Sequence, residues 1–256
     1  MSGTHPPHDP GEAARLADRT AAVRKRIEAA CRRVGRDPGE VRLLAVSKTV
    51  PAERLRAAVA AGITAFGENK VQEARDKAES LRDLPVSWSI VGHLQTNKAK
   101  DVARFAAEFQ ALDSLRVAEA LDRRLDREDR TLDVLVQVNT SGEASKFGLA
   151  PAEVAAFARS LPSCPRLRVG GLMTLAVFSA DEARVRGCFR LLRDVRARLR
   201  DELADGERFA ALSMGMSGDF EIAVEEGATV VRVGQAIFGP RQTSDAHYWP
   251  GAAGTL

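Results

Sequence analysis

Val41-Arg-Leu-Leu-Ala-Val-Ser-Lys48-Thr-Val-Pro51 is a run of apolar and β-branched residues that ends in a lysine and turns at a proline into an alanine-rich, helix-like pattern. Such a run, too apolar to leave one face in water and followed at once by a helix, is the repeating unit of a parallel sheet. Lys48 stands at its C-terminal end. The chain holds 7 lysines against 31 arginines, and the other lysines mostly sit in charged, helix-like surroundings. Taken alone, Lys48 reads as a strand-end lysine whose stem is covered and whose amine reaches water.

The same alternation continues in both directions. Before it, residues 12–34 carry apolar side chains at helical spacing and stop at Gly35, a C-terminal signal. After it, strand-like runs are expected at 63–69, 86–94, 109–114, 133–140, 167–174, 209–217 and 230–238, which with 41–48 makes eight. Helical patterns fall between them at 52–61, 70–81, 97–107, 115–127, 151–160, 180–203 and 219–226. Eight strands alternating with helices close a (β/α)8 TIM barrel, and about 250 residues is its usual size. The rival is an open doubly wound sheet, but no Gly-x-Gly-x-x-Gly follows the first strand to favour it. We therefore expect one α/β domain, a TIM barrel with an extra N-terminal helix, over residues 11–241. Met1–Pro10, with two histidines, three prolines and no hydrophobic segment, is expected to be a disordered tail, neither leader nor anchor. Residues 242–256 are expected to be a second, C-terminal tail.

Composition narrows the function classes. Of 256 residues, 45% are hydrophobic and 29% charged, ordinary for a soluble globular protein. No apolar run approaches the ~20 residues that span a bilayer. The net charge of +3 is small, and arginines interleave with acids, as in residues 122–130, so neither a nucleic acid nor a membrane is expected as partner. Cys31, Cys164 and Cys188 lack metal-ligand spacing and suggest a reducing, cytoplasmic setting.

In a barrel the chemistry collects at the C-terminal ends of the strands. Those ends deliver Ser47 and Lys48, Gly67-Glu-Asn69, Gly92-His-Leu-Gln95, Asp113 and Ser114, Asn139 and Thr140, Met173 and Thr174, Ser213-Met-Gly-Met-Ser217-Gly218, and Arg232-Val-Gly234-Gln235. The stretch around Met214 to Gly218 places small residues before a helix starting near Asp219, where free backbone N–H groups and a hydroxyl meet at a helix N-terminus, a cradle for an anion. Gly234 and Gln235 would add donors. A phosphate site across the rim from a strand-end lysine has two readings: an aldolase lysine that attacks a sugar phosphate, or a lysine that holds pyridoxal phosphate as an aldimine. Both need a neutral amine, which burial favours.

Seven stretches carry a resemblance: Ala45-Val-Ser-Lys-Thr49, Phe66-Gly-Glu-Asn-Lys-Val-Gln-Glu73, Gly92-His-Leu-Gln-Thr-Asn-Lys98, Val138-Asn-Thr-Ser-Gly-Glu-Ala-Ser-Lys-Phe-Gly148, Gly171-Leu-Met173, Leu212-Ser-Met-Gly-Met-Ser-Gly-Asp219 and Val231-Arg-Val-Gly234 to Ile237-Phe-Gly239. In order, from about residue 15 to residue 241, they resemble the pyridoxal phosphate homeostasis protein family. The resemblance implies a barrel related to the N-terminal domain of alanine racemase, and pyridoxal 5'-phosphate as cofactor. It implies Lys48 as the Schiff-base lysine, Asn69 and Met214 beside the cofactor, Ser217, Gly234 and Gln235 around its phosphate, and Arg232 facing the pyridine nitrogen. Two positions depart from the pattern. Lys70 stands where the family often has tyrosine, and Gln235 replaces a small hydroxyl residue.

An arginine opposite the pyridine nitrogen keeps its own proton, so the ring is a weak electron sink. Racemisation by two bases also needs a second acid/base, and the single tyrosine, Tyr248, lies beyond the last strand. His93 could substitute but reads better as a packing residue at the rim. The expectation is therefore a non-catalytic, monomeric protein of vitamin B6 homeostasis that buffers pyridoxal phosphate or delivers it to apo forms of dependent enzymes. The alternative is a pyridoxal-phosphate-dependent amino-acid racemase.

Overall fold

Eight short apolar runs pair in sequence order: β1 (Arg42–Val46), β2 (Ala65–Glu68), β3 (Ser87–Ile90), β4 (Glu108–Leu112), β5 (Leu132–Gln137), β6 (Leu167–Met173), β7 (Ala211–Ser213) and β8 (Val230–Val233). In the computed structural model, which describes residues 10–240, each is parallel to the next, and β8 returns to β1 with Arg42 opposite Val230 and Ala45 opposite Val233, closing the barrel. Helices α1 (Pro10–Arg33), α2 (Ala52–Ala60), α3 (Val71–Ser80), α4 (Ala99–Phe105), α5 (Leu115–Arg127), α6 (Val154–Ser160), α7 (Glu182–Glu202), α8 (Phe220–Glu225) and the single turn α9 (Gln235–Phe238) complete it. This is the expected TIM barrel with an added N-terminal helix. The two expected tails, 1–10 and 242–256, and Tyr248, fall outside the described residues but for Pro10, with which α1 begins.

The layer between sheet and helices is filled by large side chains from both, among them Phe66, Phe109, Phe189, Phe209 and Phe220, all fully buried. Helix α5 shows why it forms: Val117, Ala118, Leu121 and Leu125 fall on one buried stripe, and Ser114 caps its start by accepting from the Val117 N–H. Helix α1 likewise buries Leu16, Val23, Ile27 and Cys31. It packs on α2, α8 and α9, with Arg54 reaching Glu12, Arg26 reaching Glu221 at 2.8 Å, and Arg33 reaching Glu225 at 2.7 Å.

Most of the elements are a few residues shorter than expected, the third strand stopping at Ile90 and the fifth at Gln137, and three of the differences have an evident local reason. The eighth strand, expected to run through residue 238, ends at Val233 because Gly234 turns the chain into α9 and presses on β1; a methyl group there would lie 2.9 Å from the Val46 carbonyl oxygen. The seventh, expected over 209–217, keeps only Ala211–Ser213, since the chain turns at Gly215 with φ of 92°. The helix expected from residue 151 begins at Val154, because the Glu153 carboxylate captures the Ala150 N–H and holds a turn ahead of it.

Close approach of β6 and β7 requires a glycine at 171. A methyl group there would sit 2.1 Å from the carbonyl oxygen of its register partner Ala211, whereas one at Gly170 meets nothing nearer than Leu135 Cδ2 at 3.8 Å. Gly171→Ala should therefore lower the unfolding free energy by about 3 kcal/mol in urea titration, with Gly170→Ala as the near-silent control. Equal midpoints for the two variants would refute this close packing.

Candidate functional site

Ser47 ends the extended run of β1 with its side chain on the helix side of the barrel, where its hydroxyl donates to Glu68 Oε1 at 2.6 Å. Strand alternation then directs Lys48 to the lumen side of the rim, half buried. The next residue, Thr49, adopts φ of 67°, and its N–H donates to Glu73 Oε1 at 2.6 Å. Behind the strand, Lys77 of α3 donates to the Ser47 carbonyl oxygen at 2.7 Å and to Glu68 Oε1 and Glu73 Oε1 at 2.6 Å each. Lys77 is the fully enclosed lysine here, with 8% of its side chain exposed.

Strands β7 and β8 supply the neighbouring rim. Ser217 Oγ accepts from the N–H groups of Gly234 at 3.2 Å and Ala236 at 3.4 Å, tying the two loops together. A hydroxyl that accepts twice still has its hydrogen to donate. The Gly234 N–H, expected as a free donor, is thus engaged by Ser217. Met214 is fully buried, its N–H on the Val230 carbonyl, and Gln235 is exposed. Gly215 accepts the Arg232 N–H, and its positive φ leaves no room for a side chain, since a methyl group would meet Ala223 Cβ at 2.6 Å. Asp219 accepts the Met216 N–H, and burial raises its pKa.

Inside the lumen a directed chain of hydrogen bonds leads to Arg232. Its Nη1 donates to Ser213 Oγ at 2.8 Å and its Nη2 to the Thr174 carbonyl at 2.7 Å. Ser213 donates to Gln110 Oε1 at 2.7 Å, and Gln110 Nε2 donates to Glu108 Oε2 at 2.8 Å, which Arg42 also meets. Strands β1 and β4, like β4 and β7, are not neighbours, so these contacts cross the barrel interior. Burial lowers the Arg232 pKa to about 10, against the opposing pull of Asp219 and Glu108. At neutral pH the guanidinium remains charged.

Asn69, half buried after β2, lies under β3: a methyl group at Gly92 would come within 2.2 Å of the Asn69 carbonyl oxygen. His93 stacks on Phe147 with ring centroids 3.8 Å apart, and its Nδ1 lies 3.4 Å from Asp113 Oδ2. It therefore pins the β5–α6 loop. Lys146 of that loop donates to the Ala176 carbonyl at 2.8 Å.

Lys48, Met214, Ser217, Arg232, Gly234 and Gln235 thus come from β1, β7 and β8, which are consecutive around the barrel, with Asn69 on the other side of β1 at the end of β2. Sequence reasoning missed Lys77, Glu73, Gln110 and Glu108 as parts of the arrangement. A signal for Lys77 exists: it falls on the buried stripe Val71, Ala74, Lys77, where an unpaired lysine would be costly. Among the described residues no cluster of three or more His, Cys, Asp or Glu side chains could hold a metal ion, and no helix is long and apolar enough to cross a membrane.

Comparison with known proteins gives a consistent picture. The model of the alanine racemase N-terminal domain family matches residues 19–242. A pyridoxal phosphate homeostasis protein of Pseudomonas aeruginosa is 43% identical over 227 residues, 88% of this chain and 96% of that protein. Another, of Aquifex aeolicus, is 40% identical over 88% of this chain and 98% of its own length. The structure of PipY from Synechococcus elongatus with PLP bound matches with a TM-score of 0.77 and 36% identity, covering 88% of this chain and all of that one.

The cluster behind Lys48 has a pH signature. Glu68 and Glu73 share one ammonium, and Glu68 Oε2 is buried without a hydrogen-bond partner among the described residues. Burial pushes the Glu68 pKa up from 4.5 to about 7, against the pull of Lys77. The folded carboxyl keeps its proton to a higher pH than the unfolded one, so its contribution to stability is full below about pH 4.5 and is lost as the pH rises through about 7. Relative to Glu68→Gln, the unaltered protein should lose on the order of 2 kcal/mol between pH 4.5 and 8 in urea titrations. Parallel curves would mean that Glu68 is ionised throughout.

Proposed function

The chain belongs to the pyridoxal phosphate homeostasis protein family, built on the alanine racemase N-terminal fold, and from that membership we propose that it binds pyridoxal 5'-phosphate through Lys48 and holds it for release. The donor set suits this group. A primary amine at the inner rim matches an aldehyde. Ser217 with its remaining hydroxyl hydrogen, and the close-packed backbone at Gly215 and Gly234, suit a phosphate. When bound, the cofactor supplies a carbonyl that condenses with an amine and a pyridine ring that can withdraw electrons.

Lys48 provides the amine. Ser217, through its remaining hydroxyl hydrogen, and the Gly234–Gln235 backbone would hold the phosphate end, with Met214 and Asn69 beside the ring. Arg232 would face the nitrogen end and could donate to it without giving up its proton. The observation that carries the non-enzymatic reading is this arginine. With a pKa near 10 it stays charged at neutral pH, so it cannot accept or supply the proton that would strengthen the ring as an electron sink. A second acid/base is poorly supplied too, since His93 is occupied by Phe147 and Asp113. The protein then works in the cytoplasm, as a monomer, with apo forms of cofactor-dependent enzymes as recipients. The competing reading, an amino-acid racemase, rests on the same fold and on the His93–Asp113 pair.

Purified protein mixed with pyridoxal phosphate should show a visible absorbance band that Lys48→Ala abolishes. A colourless unaltered protein would sink the covalent reading. Incubating the loaded protein with single amino-acid enantiomers in deuterated water separates carrier from racemase. A carrier leaves the α-proton in place over many minutes, whereas rapid, saturable exchange lost in Lys48→Ala would establish the enzyme.

A further inference from the structure

We propose that Glu73 and Lys77, which lie outside the barrel on α3, are positioning residues that fix the backbone on both sides of Lys48 and so aim its amine into the lumen. This deepens the assignment of Lys48 as the cofactor-bearing amine and rests on it. The peptide groups flanking Lys48 are those of Ser47 and Thr49. The Ser47 carbonyl accepts from Lys77 Nζ at 2.7 Å, and the Thr49 N–H donates to Glu73 Oε1 at 2.6 Å. The same Glu73 oxygen accepts from Lys77 at 2.6 Å, so the two grips are joined through one atom. Glu68, held by Ser47 Oγ, completes the ammonium's three acceptors.

Thr49 makes the need for such a grip concrete. A β-branched residue at φ of 67° occupies the left-handed region at a local energetic penalty and stays there only where its surroundings over-determine it. Two contacts hold it there: the turn closed by the Val50 N–H on the Ser47 carbonyl at 3.0 Å, and its own N–H on Glu73, which ties that turn to α3. Buried ion clusters of this kind are weak devices for stability, because taking the charges out of water cancels most of their attraction. This one directs its contacts to the two residues that bracket Lys48. On its far side the cluster floors an open groove of about 440 Å³ bordered by Ala52, Lys70, Gln72 and Asp76. The same turn of chain therefore has the lumen in front of it and a surface groove behind.

The test separates aiming from folding. Glu73→Ala and Lys77→Met are compared with the unaltered protein for the rate at which the covalent visible band forms with pyridoxal phosphate, for borohydride trapping at Lys48, and for affinity toward pyridoxine 5'-phosphate, which has the ring and phosphate but no aldehyde. We expect band formation to slow at least about tenfold, as displacement of a reacting group by less than ~1 Å would cause, with affinity for the aldehyde-free analogue within about twofold. Glu73→Gln, whose amide oxygen can still accept from Thr49 and Lys77, should restore most of the rate. Should Lys77→Met fail to fold, Glu73→Ala carries the test, because Glu73 is a quarter exposed. Unchanged rates in a protein that does form the band would overturn the proposal, as would parallel loss of rate and analogue affinity, which marks a purely structural role. Absence of the band in the unaltered protein would instead remove the assignment of Lys48 on which the proposal stands.

Discussion

A guanidinium enclosed in the lumen, with only neutral groups in direct contact, is the constraint around which the barrel interior is arranged. Arg232 is buried and donates to a hydroxyl and a carbonyl. Bringing such a charge out of water is expensive unless every donor is met and a counter-charge acts through the low-dielectric interior. Ser213 and the Thr174 carbonyl each meet a donor, Asp219 and Glu108 supply the counter-charge, and Ser213 and Gln110 link the guanidinium to Glu108. Each accepts on one side and donates on the other, so the order from Arg232 to Glu108 can run in one direction only. The negative end is thereby held deep in the lumen, away from the rim, and the positive end stays near the mouth. A carboxylate placed directly against Arg232 would have neutralised it; the relay stabilises the charge while leaving it available.

The second organising feature is that β1 serves two compartments. Its lumen side carries Arg42, which reaches across to Glu108, and by alternation Lys48. Its outer side ends in Ser47 and the cluster of Glu68, Glu73 and Lys77. Gly234 presses on the Val46 carbonyl from the adjacent strand, so the β8 loop that borders the anion cradle and the strand that carries Lys48 are in van der Waals contact. Movement at either is felt at the other, because close-packed backbone has no slack to absorb it.

Much of this was legible in the sequence, and the exceptions have physical causes. Parallel strands buried on both faces read as continuous apolar runs, so all eight are visible, Val41 to Lys48 most clearly. The eighth reads too long because Ala236, Ile237 and Phe238 are as apolar as a strand, although Gly234 has already turned the chain. Lys48, Ser217 and Arg232 stand out because strand ends and glycine-rich turns are local signals. Gln110 and Glu108 do not, since their partners lie on β1, β3 and β7 and only closure of the barrel brings them together. Lys77 reads as one more charged residue of an arginine-rich and lysine-poor chain until its place on the buried stripe of α3 is noticed.

Helix α1 bears on how the molecule comes into being. Its apolar stripe of Leu16, Val23 and Ile27 is covered in part by α8 and α9, and Arg26 meets Glu221 across 195 positions of sequence. Strand β1 likewise finds one of its two partners only in β8. On the ribosome, α1 emerges well before α8 and α9, so part of its apolar face has no native cover until they follow, at roughly 5–20 residues per second. Closing β8 onto β1 and covering the rest of the α1 stripe draw on the same C-terminal stretch, so a nascent chain halted short of residue 220 would leave that part of the stripe in water.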